Sequence, residues 1–192
     1  MNSRRWIQIV VLLVTLGLLA WGVTIGVERL ALPESEVSTP PPPPVQPTAH
    51  ITATLFYAAP DGQGLVPLRR EVPLAEGVVA QGRQILMTQL GKAPDSQASV
   101  IPSGTELRAF YVTERGDAFV DLSGAVSSAH PGGSMNELLT VYAIVNAVTA
   151  NLPAVQRVQL LVDGKEVDTI AGHVDVRRPL ARDATLVRET AP

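Results

Sequence analysis

Five consecutive prolines, Pro40 to Pro44, divide this chain and limit which parts of it can fold together. Proline fixes φ and offers no backbone N–H, so such a run joins neither a helix nor a sheet. With Pro33 and Pro47 nearby, residues 28–49 read as an extended, semi-rigid spacer. It rises about 3 Å per residue where it is polyproline II. Whatever packs into a domain must therefore lie on one side of it.

Ahead of the spacer, Arg4 and Arg5 precede an uncharged apolar run over residues 6–27. As a helix that run would extend about 33 Å, enough for the hydrocarbon core of a bilayer. It reads as a single transmembrane helix. The run is long for a signal peptide, and Leu18-Leu19-Ala20-Trp21 is a poor cleavage site, so an uncleaved anchor is expected. The two arginines favour an inside N-terminus, which places the remainder outside the cytoplasm, in the periplasm or at the cell exterior. The chain has no cysteine, which excludes disulfides, thiol chemistry and a lipid-modified N-terminal cysteine.

Residues 50–192 suit one compact domain. The formal net charge is −3, and no basic patch interleaves with aromatics, so nucleic acid is not an expected partner. Arg177, Arg178, Arg182 and Arg188 make the end of the chain locally basic, which reads as a solvated surface.

Residues 51–57 (ITATLFY) alternate as a strand, and residues 60–64 (PDGQG) carry turn chemistry. Residues 65–72 return as a second strand, placed at an edge or a bulge by Pro67. Residues 77–90 change to helical spacing, with Gly82 a weak point and Gly91 and Pro94 as stops. Residues 105–113 and 118–122 form a second hairpin about Arg115-Gly116-Asp117, and residues 123–133 read as a loop. Ser134 and Glu137 then make a capping-box pattern before a helix over residues 135–150. Residues 158–162 and 165–170 are strands joined by a turn at Asp163-Gly164. The order is ββαββαββ, and each helix shows one apolar face. This predicts an α+β fold: a mainly antiparallel sheet with two helices packed on one side, preceded by the transmembrane helix.

Little in the chain points to chemistry. His173 and Asp175 stand two apart in Gly172-His173-Val174-Asp175, so on a strand they would share a face. They could act as a base with an orienting carboxylate, or as two of three metal ligands. Neither His50 nor His130 supplies the third at a recognisable spacing. There is no Gly-x-Ser-x-Gly, P-loop, dinucleotide-binding glycine pattern or His-Glu-x-x-His. The structural reading of the Gly-His-x-Asp element is preferred: a bend at the glycine, with polar side chains fixing the exit of the chain. Asn146, mid-helix, is expected to make a specific hydrogen bond, within the fold or to a partner.

Residues 139–152, residues 158–164, and Gly172-His173-Val174-Asp175 with Pro179-Leu180 together resemble the GerMN domain of bacterial sporulation and spore-germination proteins. Phe119-Val120-Asp121-Leu122-Ser123 matches that family's strand before the helix. The likeness spans residues 51–180. It implies a membrane-tethered extracytoplasmic module, a role in assembling envelope or channel structures, and a fold similar to ring-building domains. It brings no catalytic residues. The chain departs from the best-known member in having one copy rather than two, and an apolar run in place of a lipid-type anchor.

The expectation is a non-enzymatic binding and assembly module of the cell envelope without a cofactor, related to sporulation and germination proteins. Its partners would be the membrane and an envelope protein or further copies of itself. Asn146, Asp163, Gly164, Gly172, His173 and Asp175 are the candidate interaction or structural residues. The alternative is a peptidoglycan-binding domain, or an envelope hydrolase using His173 and Asp175.

Overall fold

The computed structural model describes residues 49–188, together with Leu13, Val14, Leu16, Leu18 and Trp21. Those five belong to a first unit, Met1–Val45, and everything below concerns the second, Gln46–Pro192. Its elements run β1 (His50–Ala58), β2 (Leu65–Pro73), α1 (Val78–Leu90), β3 (Leu107–Val112), β4 (Asp117–Leu122), α2 (Ala125–Ser128), α3 (Ser134–Asn151), β5 (Arg157–Val162), β6 (Lys165–Glu166) and β7 (Leu180–Ala181).

The strands make two sheets, which corrects the expectation of one. β1 and β2 form an antiparallel pair by themselves, and the second sheet has the order β3-β4-β5-β6, with β7 also on β5. β1 stays out of the larger sheet because side chains occupy its free edge. Asn151 Oδ1 accepts the Thr54 N–H (2.8 Å) while its Nδ2 donates to Thr54 O (2.7 Å). Gln89 repeats the arrangement on Phe56, at 2.9 and 2.7 Å. Two helix amides thus take the hydrogen bonds that a neighbouring strand would make.

β4 and β5 run parallel, Asp117 beside Arg157 through Leu122 beside Val162. Two strands joined through a long helix leave and re-enter the sheet in the same direction, whereas hairpin strands reverse. The transmembrane part of the expected fold is also corrected: among the described residues no helix is long and apolar enough to cross a membrane. Most of the apolar run over residues 6–27 lies outside the described residues, as does residue 28–48 of the spacer.

α3 has no single apolar face. Leu139, Thr140, Val141 and every residue from Ala143 to Val148 are buried, so the helix is enclosed on most sides. It packs on β1 of the small sheet and on β5 and β7 of the large one. A helix apolar almost all round is a core helix. Small residues at Ala143 and Ala147 let neighbours approach it. α1 packs against α3 and β3, and Gly82 makes that approach close. The core includes Leu55, Phe56 and Tyr57 of β1, Ile85 and Leu86 of α1, Phe110, Val120, Leu122, Ile144, Val158 and Leu160.

Three local expectations also change. The capping box does not form: Gly133 is the N-cap, no side chain caps the helix, and Glu137 turns inward. Residues 123–133 contain the short helix α2. The strand expected over residues 165–170 ends at Glu166, because the chain leaves the sheet there to wrap the start of α3.

Candidate functional site

The Gly-His-x-Asp element closes over the first turn of α3, and one side chain organises it. Glu137 is fully buried. Its Oε1 accepts the N–H of Ile170 and of Ala171, both at 2.8 Å. Its Oε2 accepts the N–H of His173 at 2.7 Å, and His173 Nδ1 stands 3.2 Å away. A carboxylate can only accept, so the imidazole proton sits on Nδ1. Burial alone would push the Glu137 pKa up. The amides of Ala171, His173, Ile170 and, more weakly, Val174 outweigh it and hold the carboxyl below its usual range.

The sequence placed His173 and Asp175 on one face; the structure separates them. His173 turns to Glu137. Asp175 turns to Arg177, accepting from its backbone N (3.0 Å), Nε (3.0 Å) and Nη2 (2.6 Å). That guanidinium holds the exposed Asp175 carboxyl down to about 2. Gly172, at φ 97°, is the bend that brings residues 170–173 round the carboxylate. The segment continues inward at Val176, whose carbonyl takes the Gln159 side-chain N–H at 2.6 Å across β5.

The other candidates lie elsewhere and also hold backbone. Asn146 is fully buried. Its Nδ2 donates to Asp183 O (2.9 Å) and its Oδ1 accepts the Asp183 N–H (3.1 Å). This pins the segment after β7 onto α3. Asp163 at φ 50° and Gly164 at φ 76° make the left-handed pair that a tight Asp-Gly hairpin between β5 and β6 requires. Asp163 Oδ1 accepts from Gly124 N and Arg108 Nη1, each at 3.1 Å. Gly164 N donates to Asp121 Oδ1 at 2.8 Å. Asn146→Leu is expected to lower stability by about 1–3 kcal/mol, because both Asp183 backbone groups lose their partner. Chemical denaturation measures it, and an unchanged midpoint would show that the clamp carries nothing.

Sequence reasoning missed Gln89 and Asn151, and gave Glu137 only a capping role. A glutamate four residues after a glycine-rich loop reads as an exposed first-turn residue. The available signal was its neighbourhood, an apolar helix that offers no polar face for it. Among the described residues every buried side-chain nitrogen and oxygen has a hydrogen-bond partner. Among the same residues no group of three His, Asp or Glu is placed to hold a metal. Two concavities of about 700 and 690 Å³ lie at the β1–β2 turn and beside the start of α1, and neither is lined by Glu137, His173 or Asp175.

A family model described as Germane, sporulation and spore germination, matches residues 54–168. The first GerMN domain of the sporulation protein GerM from Bacillus subtilis is similar in structure, with a TM-score of 0.54 and 18% identity over 69% of this chain and 98% of that one. The tandem GerMN domains of the same protein give 0.55 and 15%, over 69% of this chain and 46% of that chain, so this chain spans less than half of the tandem form. A Clostridium perfringens chain provisionally described as a lipoprotein gives 0.49 and 23%, over 69% and 88%. No curated protein matches. At these identities the structural likeness speaks for the fold alone.

Proposed function

Because this chain belongs to the Germane family of sporulation and spore germination, we propose that it is a non-enzymatic binding and assembly module of the bacterial cell envelope. Residues 50–192 are the working part, with residues 28–49 as a spacer. The observation that carries this reading is the use of the polar residues. His173 and Asp175, the pair best suited to chemistry, are drawn apart, one to Glu137 and the other to Arg177. Asn146, Asp163 and Gly164 are taken up in backbone contacts. Such side chains support a rigid body whose surfaces do the work.

Crosslinking in intact cells at native expression tests it. A trapped envelope protein or further copy of the chain is the expected result, unchanged in a His173→Ala variant. Monomer alone would remove the assembly reading. His173→Ala should cost at most about 1 kcal/mol, since the ring is half-exposed and the backbone N–H of residue 173 still bonds Glu137. Loss of an enzymatic turnover in that variant, with folding intact, would favour the hydrolase. Sedimentation of the chain with purified sacculi would favour wall binding.

A further inference from the structure

The outer edges of β2 and β3 both leave backbone groups unpaired. On β2, Leu65 N donates to Leu186 O and Arg188 N donates to Leu65 O, which marks the outer side. Arg69 and Glu71 face that side with open N–H and C=O groups, but Pro67 and Pro73 bracket them and have no N–H to offer. Prolines and charges are usual ways of blunting an edge. On β3, Thr113 N donates to Asp117 O inside the hairpin. Antiparallel bonding alternates, so Tyr111 also bonds inward while Phe110 and Val112 turn their N–H and C=O outward. Residues 109–113 hold neither a proline nor a charge.

The flank of β3 sets it apart. α1 passes this strand in the opposite sense: Gly82 stands against the Phe110 ring, and the start of α1 lies beside residues 112–114. Between them is the concavity of about 690 Å³, with Val78, Val79 and Ala80 on one wall and Val112 on the other. Val79 is 42% accessible, and Met87, on the same stripe of the helix, is 56% accessible. The charges along the concavity are ordered. Glu76 and Glu114 lie toward the hairpin turn, while Arg83 lies level with Gly82 and Phe110. Among the described residues none of these three makes an ion pair.

We propose that α1 and the edge of β3 form a groove for an extended segment of another envelope protein, which adds to β3 as an antiparallel strand and places an aliphatic side chain in the concavity. This rests on the assembly reading above and names the site and the class of segment it takes. A segment residue opposite Val112 exchanges both backbone bonds with it, and one opposite Phe110 does the same. These two residues stand two apart, so their side chains share the face of Val112 and Phe110, which is the face toward α1. The first enters between Val79 and Val112. The second comes level with Arg83, which suits a carboxylate. The residue two before the first comes level with Glu114 and Glu76, which suit a cation. The segment therefore carries basic, aliphatic and acidic residues at alternate positions, in that order. β3 of a second copy, docked the same way, would set Val112 against Arg83 and leave that charge unanswered. Strand addition of this kind takes its affinity from main-chain bonds and its specificity from the alternate side chains.

The test uses the full chain and the synthetic peptide acetyl-Thr-Lys-Thr-Val-Thr-Glu-Thr-amide. On adding the peptide, the amides of Phe110 and Val112 should exchange more slowly with solvent. Tyr111, already bonded to β4, and Arg69 and Glu71 of β2 should not change. Replacing the peptide's valine by serine, or Val79→Asp in the chain, should weaken binding at least about tenfold. Val79 is exposed, so the variant keeps its fold, which a denaturation midpoint verifies. Arg69→Glu, on the edge of β2, should bind as the native chain does. The proposal is overturned if Phe110 and Val112 are not slowed, if Arg69 and Glu71 are slowed equally, or if Val79→Asp binds unchanged. Slowing of Phe110 and Val112 that grows with protein concentration in the absence of peptide would assign the edge to a second copy and also overturn it. A crosslinked complex in cells that survives Val79→Asp removes the groove and leaves the assembly reading standing. A native chain that binds the peptide but yields no complex in cells removes the assembly reading instead.

Discussion

Glu137→Ala is expected to destabilise the folded domain by about 3–5 kcal/mol, a large part of the roughly 5–15 kcal/mol that holds a domain together. The change leaves the backbone N–H groups of Ile170, Ala171 and His173 without their acceptor. Glu137→Gln keeps the shape but sets an amide N–H₂ group or a weaker carbonyl against donors, so it should also cost stability, though less. The pH dependence follows from the sign of the shift. The folded pKa lies below the ordinary value, so the stabilisation is complete above about pH 4.3, the value for an unfolded glutamate. It is lost as pH falls through the folded pKa. Denaturation midpoints measured from neutral pH down to pH 3 should fall for the native chain and flatten for Glu137→Gln. Equal slopes in the two would place the acid-sensitive group elsewhere.

The second large effect reverses a rule of thumb. Glycine in a helix is a weak former, so Gly82→Ala should stabilise by about 1 kcal/mol on propensity alone. Here the new Cβ would fall on the ring edge of Phe110, with Phe110 Cζ at 2.8 Å and Leu152 Cδ1 at 3.0 Å. Both neighbours are buried and cannot swing into solvent. Overpacking of this kind costs about 1–3 kcal/mol, and a net destabilisation is expected. A calorimetric or denaturant midpoint above that of the native chain would mean that α1 and β3 can separate without cost.

Much of the fold was legible because local signals and tertiary structure agreed. Alternation in residues 51–57, the Pro60-Asp61-Gly62 turn and the Gly91 stop each acted within a few residues. What stayed hidden was set by partners far along the chain. The division into two sheets depends on Asn151 and Gln89 meeting β1 from residues 97 and 33 positions away. The parallel step from β4 to β5 follows from the intervening helix, yet alternating hairpins suggested reversal. Helical spacing suggests one apolar face for α3, yet Thr140 and Asn146, polar by type, are also buried with their bonds satisfied. For the site, the sequence offers the Gly-His-x-Asp segment without its anchor. Spacing within that segment says nothing about a glutamate over thirty residues earlier.

Residues 170–173, held by a buried carboxylate, mark the difference between a reactive loop and a fixed strap, and amide hydrogen exchange reads that difference directly. The amides of Ile170, Ala171 and His173 lie outside every strand and helix. In the full chain they should nevertheless exchange as slowly as those of β5, and remain slow after His173→Ala. Exchange at the rate of an open loop, in either protein, would contradict the account.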